Sequence, residues 1–476
     1  MNLYIDNHKF HYEMENLCRA FLFTEDVAVI HEYVTCEKPY ILTSVRDQVR
    51  VELCTDDLHE ELSAELCGDN ELCMGQLLYQ LLSKAYGKTL PWGILTGVRP
   101  IKLFSKLAAQ NGVEEAKQYF RETLYVSEEK IALVAQVREN QQMILSRSDR
   151  RSFSLYVSIP FCPTRCNYCS FVSQTVEKAK KLIEQYIPLL LSEIRCTAEI
   201  AKELDLRCES VYIGGGTPTT LSAEQLDILL SEIEADFDLS NCAEFTVEAG
   251  RPDTVTREKL TTLQKHHVTR ISINPQTFSD SVLEHIGRKH TSRQTIDAYH
   301  LARELGFDNI NMDLIAGLTS DTPEGFEDTI DAVRRLDPES VTVHTLAVKR
   351  SARLNSTDAI KEQAYTSQML EYAKEQLADG GWEPYYLYRQ SKMLSNLENI
   401  GWAKKGYFSP YNVYIMEETH SILACGAGAV SKLRDVDSDY IERIFNFKYP
   451  YEYISRFDEL IERKARVKSF YGEYNK

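Results

Sequence analysis

The 476-residue sequence contains no run approaching ~18 consecutive apolar residues, so no segment reads as a membrane-spanning helix. Its first residues, Met1-Asn2-Leu3-Tyr4-Ile5-Asp6-Asn7-His8-Lys9, lack the basic stretch and apolar block of a secretion signal, so a cytoplasmic location is expected. Positive charge is in short supply. With 54 Lys and Arg against 71 Asp and Glu, the net charge is −17, which disfavours nucleic acid and anionic membranes as general partners. Internal repeats and low-complexity tracts are absent. Twelve cysteines are too sparse for a disulfide scaffold, and most read as free thiols. What remains is a hydrophobic share of 43% and a charged share of 26%, the balance of a globular protein with length for about three domains.

Residues 1–150 mix strand and helix signals without a chemical motif. Leu77, Leu78, Leu81 and Leu82 line one face of a helix predicted at 75–85, and a second helical stretch is predicted at 114–146. The polar run 146–152 reads as a linker. Beyond it, strands at 155–160, 210–213, 244–248, 270–274, 309–315 and 340–346 alternate with helices at 176–202, 223–235, 256–265, 291–305 and 323–335. Such alternation predicts parallel βα units, either a doubly wound sheet or a partial (β/α) barrel, with chemistry at the C-terminal strand ends. The expected division is 1–150 (α+β), 151–360 (the βα units) and 361–476 (a covering α+β domain).

Cys162, Cys166 and Cys169 form C-x3-C-x2-C directly after the first of these strands. A structural zinc site wants four ligands, and no fourth Cys or His lies nearby. Ferredoxin-type clusters also take four thiolates. Three thiolates on one short loop suit a [4Fe–4S] cube with one open iron, which can chelate the amino and carboxylate groups of S-adenosylmethionine (SAM). SAM and iron–sulfur clusters are among the cofactors that carry radical chemistry. Gly214-Gly215-Gly216-Thr217-Pro218 follows the next strand. It fits neither the P-loop nor the dinucleotide fingerprint, but lets backbone approach a ligand closely.

These strings together resemble the radical SAM superfamily, and within it the oxygen-independent coproporphyrinogen III oxidases of the HemZ-type branch. Supporting strings are Thr246-Val247-Glu248-Ala249, Asn274-Pro275-Gln276-Thr277-Phe278, 311–318 and 426–430, so the resemblance covers roughly 150–435. It implies a partial (β/α)6 barrel with an N-terminal and a C-terminal α+β domain. It assigns Cys162, Cys166 and Cys169 to the cluster, and Tyr156, Gly215, Glu248 and Val430 to the cluster-bound SAM. Tyr168, Gly216, Thr217, Gln276, Arg288, Asp313 and Ala347 match positions around a second SAM molecule. Chemically, Arg288 suits a carboxylate and Asp313 a ribose hydroxyl. His344 is a further candidate, lying in the last parallel strand. Scattered histidines such as His266 and His290 read as surface or capping residues. Lys349, Arg350, Arg353, Arg389 and Lys392 are candidates for substrate carboxylates.

The implied reaction is oxidative decarboxylation of coproporphyrinogen III to protoporphyrinogen IX. Its implied partners are a tetrapyrrole substrate, an external reductase and an electron acceptor. Ser158 and Phe171 stand where the better-known oxidases carry His and Cys, which bears on the final substrate. The string 397–402 keeps the Trp of a heme-chaperone motif but no His that could ligate heme. Two alternatives stay open: another radical SAM reaction on a tetrapyrrole, such as anaerobic heme ring opening with methyl transfer, and heme trafficking.

Overall fold

A computed structural model describes the chain except residues 23–24, 32–34, 172, 347–364, 390–396 and 475–476. Two compact units make it up: Met1–Arg138 with Leu387–Glu398, and Glu139–Tyr386 with Asn399–Lys476.

The first unit is built on strands β1 (Asn2–Asp6), β2 (Ala28–Ile30), β3 (Tyr40–Val45), β4 (Gln48–Cys54) and β5 (His59–Glu65), in the order β2-β1-β3-β4-β5. β1 runs parallel to β2 and β3, and β3-β4-β5 form an antiparallel meander. Alternate residues Leu3, Ile5, Ile41, Val49, Val51 and Leu53 join a buried cluster with Leu17 and Phe21 of α1 (His11–Phe21) and Met74, Leu78 and Leu82 of α2 (Asn70–Tyr86). Burial of each such side chain contributes about 1.5–3 kcal/mol. Asp69 caps α2 by accepting from the Leu72 amide, and Gly87, at φ 61°, ends it.

After α3 (Pro100–Asn111), the helix predicted at 114–146 is interrupted. It comprises α4 (Val113–Gln118), a π-helical turn (Tyr119–Thr123) and α5 (Glu128–Leu145). Tertiary bonds take the groups a continuous helix would use. Ile94 donates to the Leu124 carbonyl at 2.9 Å, Ser127 donates to Pro91 at 2.9 Å, and Tyr125 adopts φ 58°. In the same unit, Glu398 is buried and accepts from Trp92 Nε1 at 2.7 Å and Lys130 Nζ at 2.6 Å. Arg389, read from sequence as a substrate-carboxylate candidate, is buried instead. Its guanidinium lies 5.3 Å from the Trp92 ring centroid and donates to the carbonyls of Leu95 and Gly97. An arginine held by backbone oxygens and an aromatic face has a structural role.

The second unit places β6 (Ser152–Ile159), β9 (Arg207–Gly215), β10 (Glu244–Glu248), β11 (Arg270–Ser272), β12 (Ile310–Ala316) and β13 (Ser340–Thr345) side by side in chain order, all parallel. The short strands β7 (Phe161–Cys162) and β8 (Gln174–Thr175) pair separately after β6. Helices α6 (Val176–Glu203), α7 (Ala223–Asp236), α8 (Arg257–Lys265), α9 (Asp280–His285), α10 (Ser292–Glu304) and α11 (Pro323–Leu336) make the crossovers. This is the partial (β/α)6 arrangement expected from the sequence.

It does not close. β13 is followed by antiparallel β15 (Asn399–Ala403) and then β14 (Glu383–Tyr388), while β6 is flanked by parallel β16 (Ser421–Cys425), then β17 (Val430–Arg434) and β18 (Ile441–Phe445). Helices α12 (Thr366–Asp379), α13 (Pro410–Glu417), α14 (Pro450–Ser455) and α15 (Phe457–Tyr474) complete the unit.

A parallel sheet covered on both faces usually reads as continuous hydrophobic runs. These strands alternate. Leu155, Val157, Val211, Ile213, Val247, Ile271, Met312 and Val343 are fully or almost fully buried, while the intervening positions carry Tyr156, Ser158, Tyr212, Glu248, Ser272, Asn311, Asp313, Thr342 and His344. With a two-residue period, the polar residues of all six strands share one face. That face carries the candidate site.

Candidate functional site

At the end of β6 the chain enters the loop that carries the three cysteines. The loop is tied down on two sides. Gly216 N donates to Ile159 O at 2.8 Å and Thr217 N to Phe161 O at 2.7 Å. Across from these, Asn167 donates through its amide to Ile286 O and through its side chain to His285 O, both at 2.9 Å. A Cβ added at Gly216 would lie 2.5 Å from Phe161 O and 2.9 Å from Cys162 Sγ. Only glycine permits this approach.

Thr217 Oγ1 donates to Cys162 Sγ at 3.6 Å, and Cys169 N to Cys166 O at 3.2 Å. Burial raises the thiol pKa of both Cys162 and Cys169, and charge on Cys166 raises each further. Among the described residues, no three His, Cys, Asp or Glu side chains converge closely enough for a single metal ion. Three thiols on one loop, one of them accepting from Thr217, are the donor type an iron–sulfur cluster takes.

Two buried guanidiniums flank Cys166. Arg251, 3% exposed, reaches its sulfur at 4.0 Å. Arg288, 8% exposed, lies beside Cys166 and Tyr168 and donates to Asn274 O at 2.6 Å, and its Nε has no hydrogen-bond partner among the described residues. Burial acts to lower its pKa, and its interactions with Tyr168 and Cys166 outweigh this and raise it. His290, read from sequence as a surface residue, is 2% exposed; burial, then the charges of Arg288 and Arg251, push its pKa down to about 3. It stays neutral. Of these two buried cations, Arg251 bonds to the acid Asp253 and Arg288 to the Asn274 carbonyl, which leaves positive charge that suits an anionic thiolate-bound cluster.

The acidic side of the site is built on β9 to β13. Tyr212 donates to Glu248 Oε1 at 2.5 Å, and Tyr156, Tyr212 and Tyr411 stack, the last two with centroids 4.3 Å apart. Burial pushes the Glu248 pKa up to about 7; Tyr212 opposes this and Asp313 adds to it. Gly214 and Gly215 run beside that carboxylate, where a Cβ on Gly214 would meet it at 3.1 Å. Asp313 accepts from Asn274 and Asn311, each at 2.8 Å, and His344 Nε2 lies 4.0 Å away. Burial pushes the His344 pKa down, against the pull of Asp313. Gln276 holds φ 70°, a costly conformation for a non-glycine residue, and bonds to β12 through both backbone groups at 3.0 Å. Val430 opens β17, just after the Gly426–Gly428 turn, and Ser158 Oγ ties that turn to β6 by donating to Ala427 O at 2.9 Å.

Of the predicted site residues, Cys162, Cys166, Cys169, Tyr168, Arg288, Gly216 and Thr217 gather at the cluster loop. Tyr156, Gly215, Glu248, Gln276 and Asp313 lie along the polar strand ends, and Val430 lies beyond β16. Ala347 lies outside the described residues, as do Lys349, Arg350, Arg353 and Lys392. Sequence reasoning missed Tyr212, Asn274 and Asn311, which the two-residue alternation before Gly214 and Asp313 could have revealed. Arg251 carries no comparable signal.

Residues 156–333 match the radical SAM superfamily. Over 393 residues the chain is 40% identical to the oxygen-independent coproporphyrinogen-III oxidase-like protein HemZ of Bacillus subtilis, covering 81% of this chain and 78% of that protein. The chain belongs to the radical SAM superfamily, in its HemN/HemZ-type branch. The heme chaperone HemW of Bacillus subtilis is 38% identical over 197 residues, 41% of this chain and 51% of that protein. The solved coproporphyrinogen III oxidase HemN of Escherichia coli shares the fold, with TM-score 0.50 and 22% identity over 68% of this chain and 72% of that one. As a radical SAM family member, the chain has a [4Fe–4S] cluster and SAM as its implied cofactors. Among the described residues, no helix is long and apolar enough to cross a membrane.

Proposed function

We propose that this chain carries out oxygen-independent oxidative decarboxylation of coproporphyrinogen III, each of two propionates losing a hydrogen atom, CO2 and one electron to become a vinyl group. The observation that carries the reading is the pairing of a three-thiol loop, backed by two buried arginines, with a polar strand-end face on the same sheet. When bound, the cluster with one open iron would supply the electron that cleaves SAM and starts hydrogen abstraction. Cys162, Cys166 and Cys169 would hold it. Glu248, kept in place by Tyr212, would accept from the SAM ammonium beside the Gly214–Gly216 backbone, and Asp313, fixed by Asn274 and Asn311, would accept from a ribose hydroxyl. Arg288 would take a carboxylate. Heme trafficking gains no support from 397–402, where Trp402 is buried in β15 and no histidine is present.

The test is anaerobic incubation of the reconstituted chain with SAM, a strong reductant and coproporphyrinogen III, scoring deoxyadenosine and protoporphyrinogen together. Wild-type protein should form both, and Cys166→Ser neither. Deoxyadenosine without protoporphyrinogen would overturn the substrate, and stoichiometric heme binding without deoxyadenosine would overturn the catalytic reading.

A further inference from the structure

We propose that Arg251 is a positioning residue for the middle cluster ligand, holding Cys166 and raising the reduction potential of the cluster bound there. The inference rests on reading 162–169 as the cluster loop. Arg251 follows β10, and its two ends do different work. Nε and Nη2 fork onto Asp253 at 3.0 Å each, which fixes the plane of the guanidinium. Nη1 points into the cluster loop, donating to Thr164 Oγ1 at 3.1 Å and to Thr164 O at 3.5 Å, and reaching Cys166 Sγ at 4.0 Å. Thr164 Oγ1 donates onward to Gly287 O at 3.3 Å, so one side chain joins the loop to the segment that carries Arg288.

Arg251 is 3% exposed, so water screens its charge little. Hydrogen bonds and positive charge at a cluster's sulfur ligands stabilise the more negative, reduced form, which raises the potential. Asp253 offsets part of the charge but sits on the far side of the guanidinium, leaving Nη1 as the group that faces sulfur.

The experiment uses the full chain, reconstituted anaerobically without SAM, with iron and sulfide content and the cluster's midpoint potential read by EPR-monitored titration. Arg251→Gln with Asp253→Asn keeps the fork's shape and removes both charges; Arg251→Gln alone is carried alongside. The expected result is wild-type iron content with a midpoint shifted to more negative potential in whichever variant loads. A wild-type potential in a fully loaded variant would overturn the inference and leave the cluster assignment standing. Loss of iron from both variants would also overturn it, because the loop would then need Arg251 for its fold rather than for the cluster's potential. Wild-type protein that takes up no iron would overturn the cluster reading itself, and this inference with it.

Discussion

Replacing Glu193 by Gln tests whether a buried charge network holds the turn that leads to Val430. Glu193, on α6, is 0% exposed and accepts from Gly426 N, Asn446 Nδ2 and Tyr453 Oη at 2.7 Å each, and from Lys464 Nζ at 2.8 Å. Lys464 is itself 1% exposed. Neutralising Glu193 strands the Lys464 ammonium without its counter-charge, which costs ~3–5 kcal/mol, whereas water screens an exposed pair such as Arg257–Glu304. Native-state hydrogen exchange of peptides spanning Ser421–Cys425 measures the cost as a lowered opening free energy. Glu193→Gln should show the full loss, and Arg257→Gln almost none. Glu193→Gln combined with Lys464→Met should recover much of it, because a neutral pair leaves no stranded charge. A Glu193→Gln protein within ~1 kcal/mol of wild type would refute the reasoning, as would a double variant that costs the sum of its parts.

Gly216→Ala should disrupt the cluster loop, since its Cβ would fall 2.5 Å from Phe161 O; iron content after reconstitution should drop sharply, while Gly472→Ala, with open space around it, should load like wild type. Glu248 makes stability depend on pH. Its folded pKa of about 7 lies above the ordinary 4.5, so its contribution is full below pH 4.5 and is lost as pH rises through about 7. In the cofactor-free protein, wild type should lose at most about 3 kcal/mol of unfolding free energy relative to Glu248→Gln across that window, and parallel curves for the two proteins would show that the carboxyl does not titrate there.

The parallel strands were legible because each is a short apolar run bounded by turn residues, with an amphipathic helix behind it, whereas their side-by-side order followed only from the family resemblance. Cys162, Cys166 and Cys169 were legible because their spacing is local. Arg251 and Tyr212 were not, for different reasons. Tyr212 faces Glu248 through strand alternation, a pattern visible in the sequence but easily passed over beside three glycines. Arg251 reaches Cys166 across 85 positions, and its direction is set by the fork to Asp253, which follows from the fold alone. The break at 124–127 belongs with Arg251: Ile94 and Pro91 outcompete helical hydrogen bonds, and no local propensity announces that. Arg389 shows the converse. A lone arginine near aromatic residues invited a ligand role, whereas Trp92 and two backbone carbonyls already occupy it.

The distribution of charge on the strand-end face bears on how a ligand would lie there. Beside the thiol loop, Arg251 and Arg288 outweigh Asp253. Along β10 to β12, Glu244, Glu248 and Asp313 outweigh Arg270, which is 1% exposed. The face therefore has most of its cations at the cluster end and most of its acids toward the strands, inside a unit where water screens neither set strongly. SAM carries a carboxylate together with an ammonium and a sulfonium, so it meets both signs. On the proposed reading, Glu248 draws the ammonium of the cluster-bound SAM toward Gly214 and Gly215, and Arg288 draws the carboxylate of a second molecule toward the loop. A field of two signs orients such a ligand before any single contact is complete, whereas a site of one sign would admit it in several directions. On the same reading, an acid whose pKa is raised to about 7 has a reason to stand at the end of β10: its charge is costly without a cation, and the SAM ammonium would bring one.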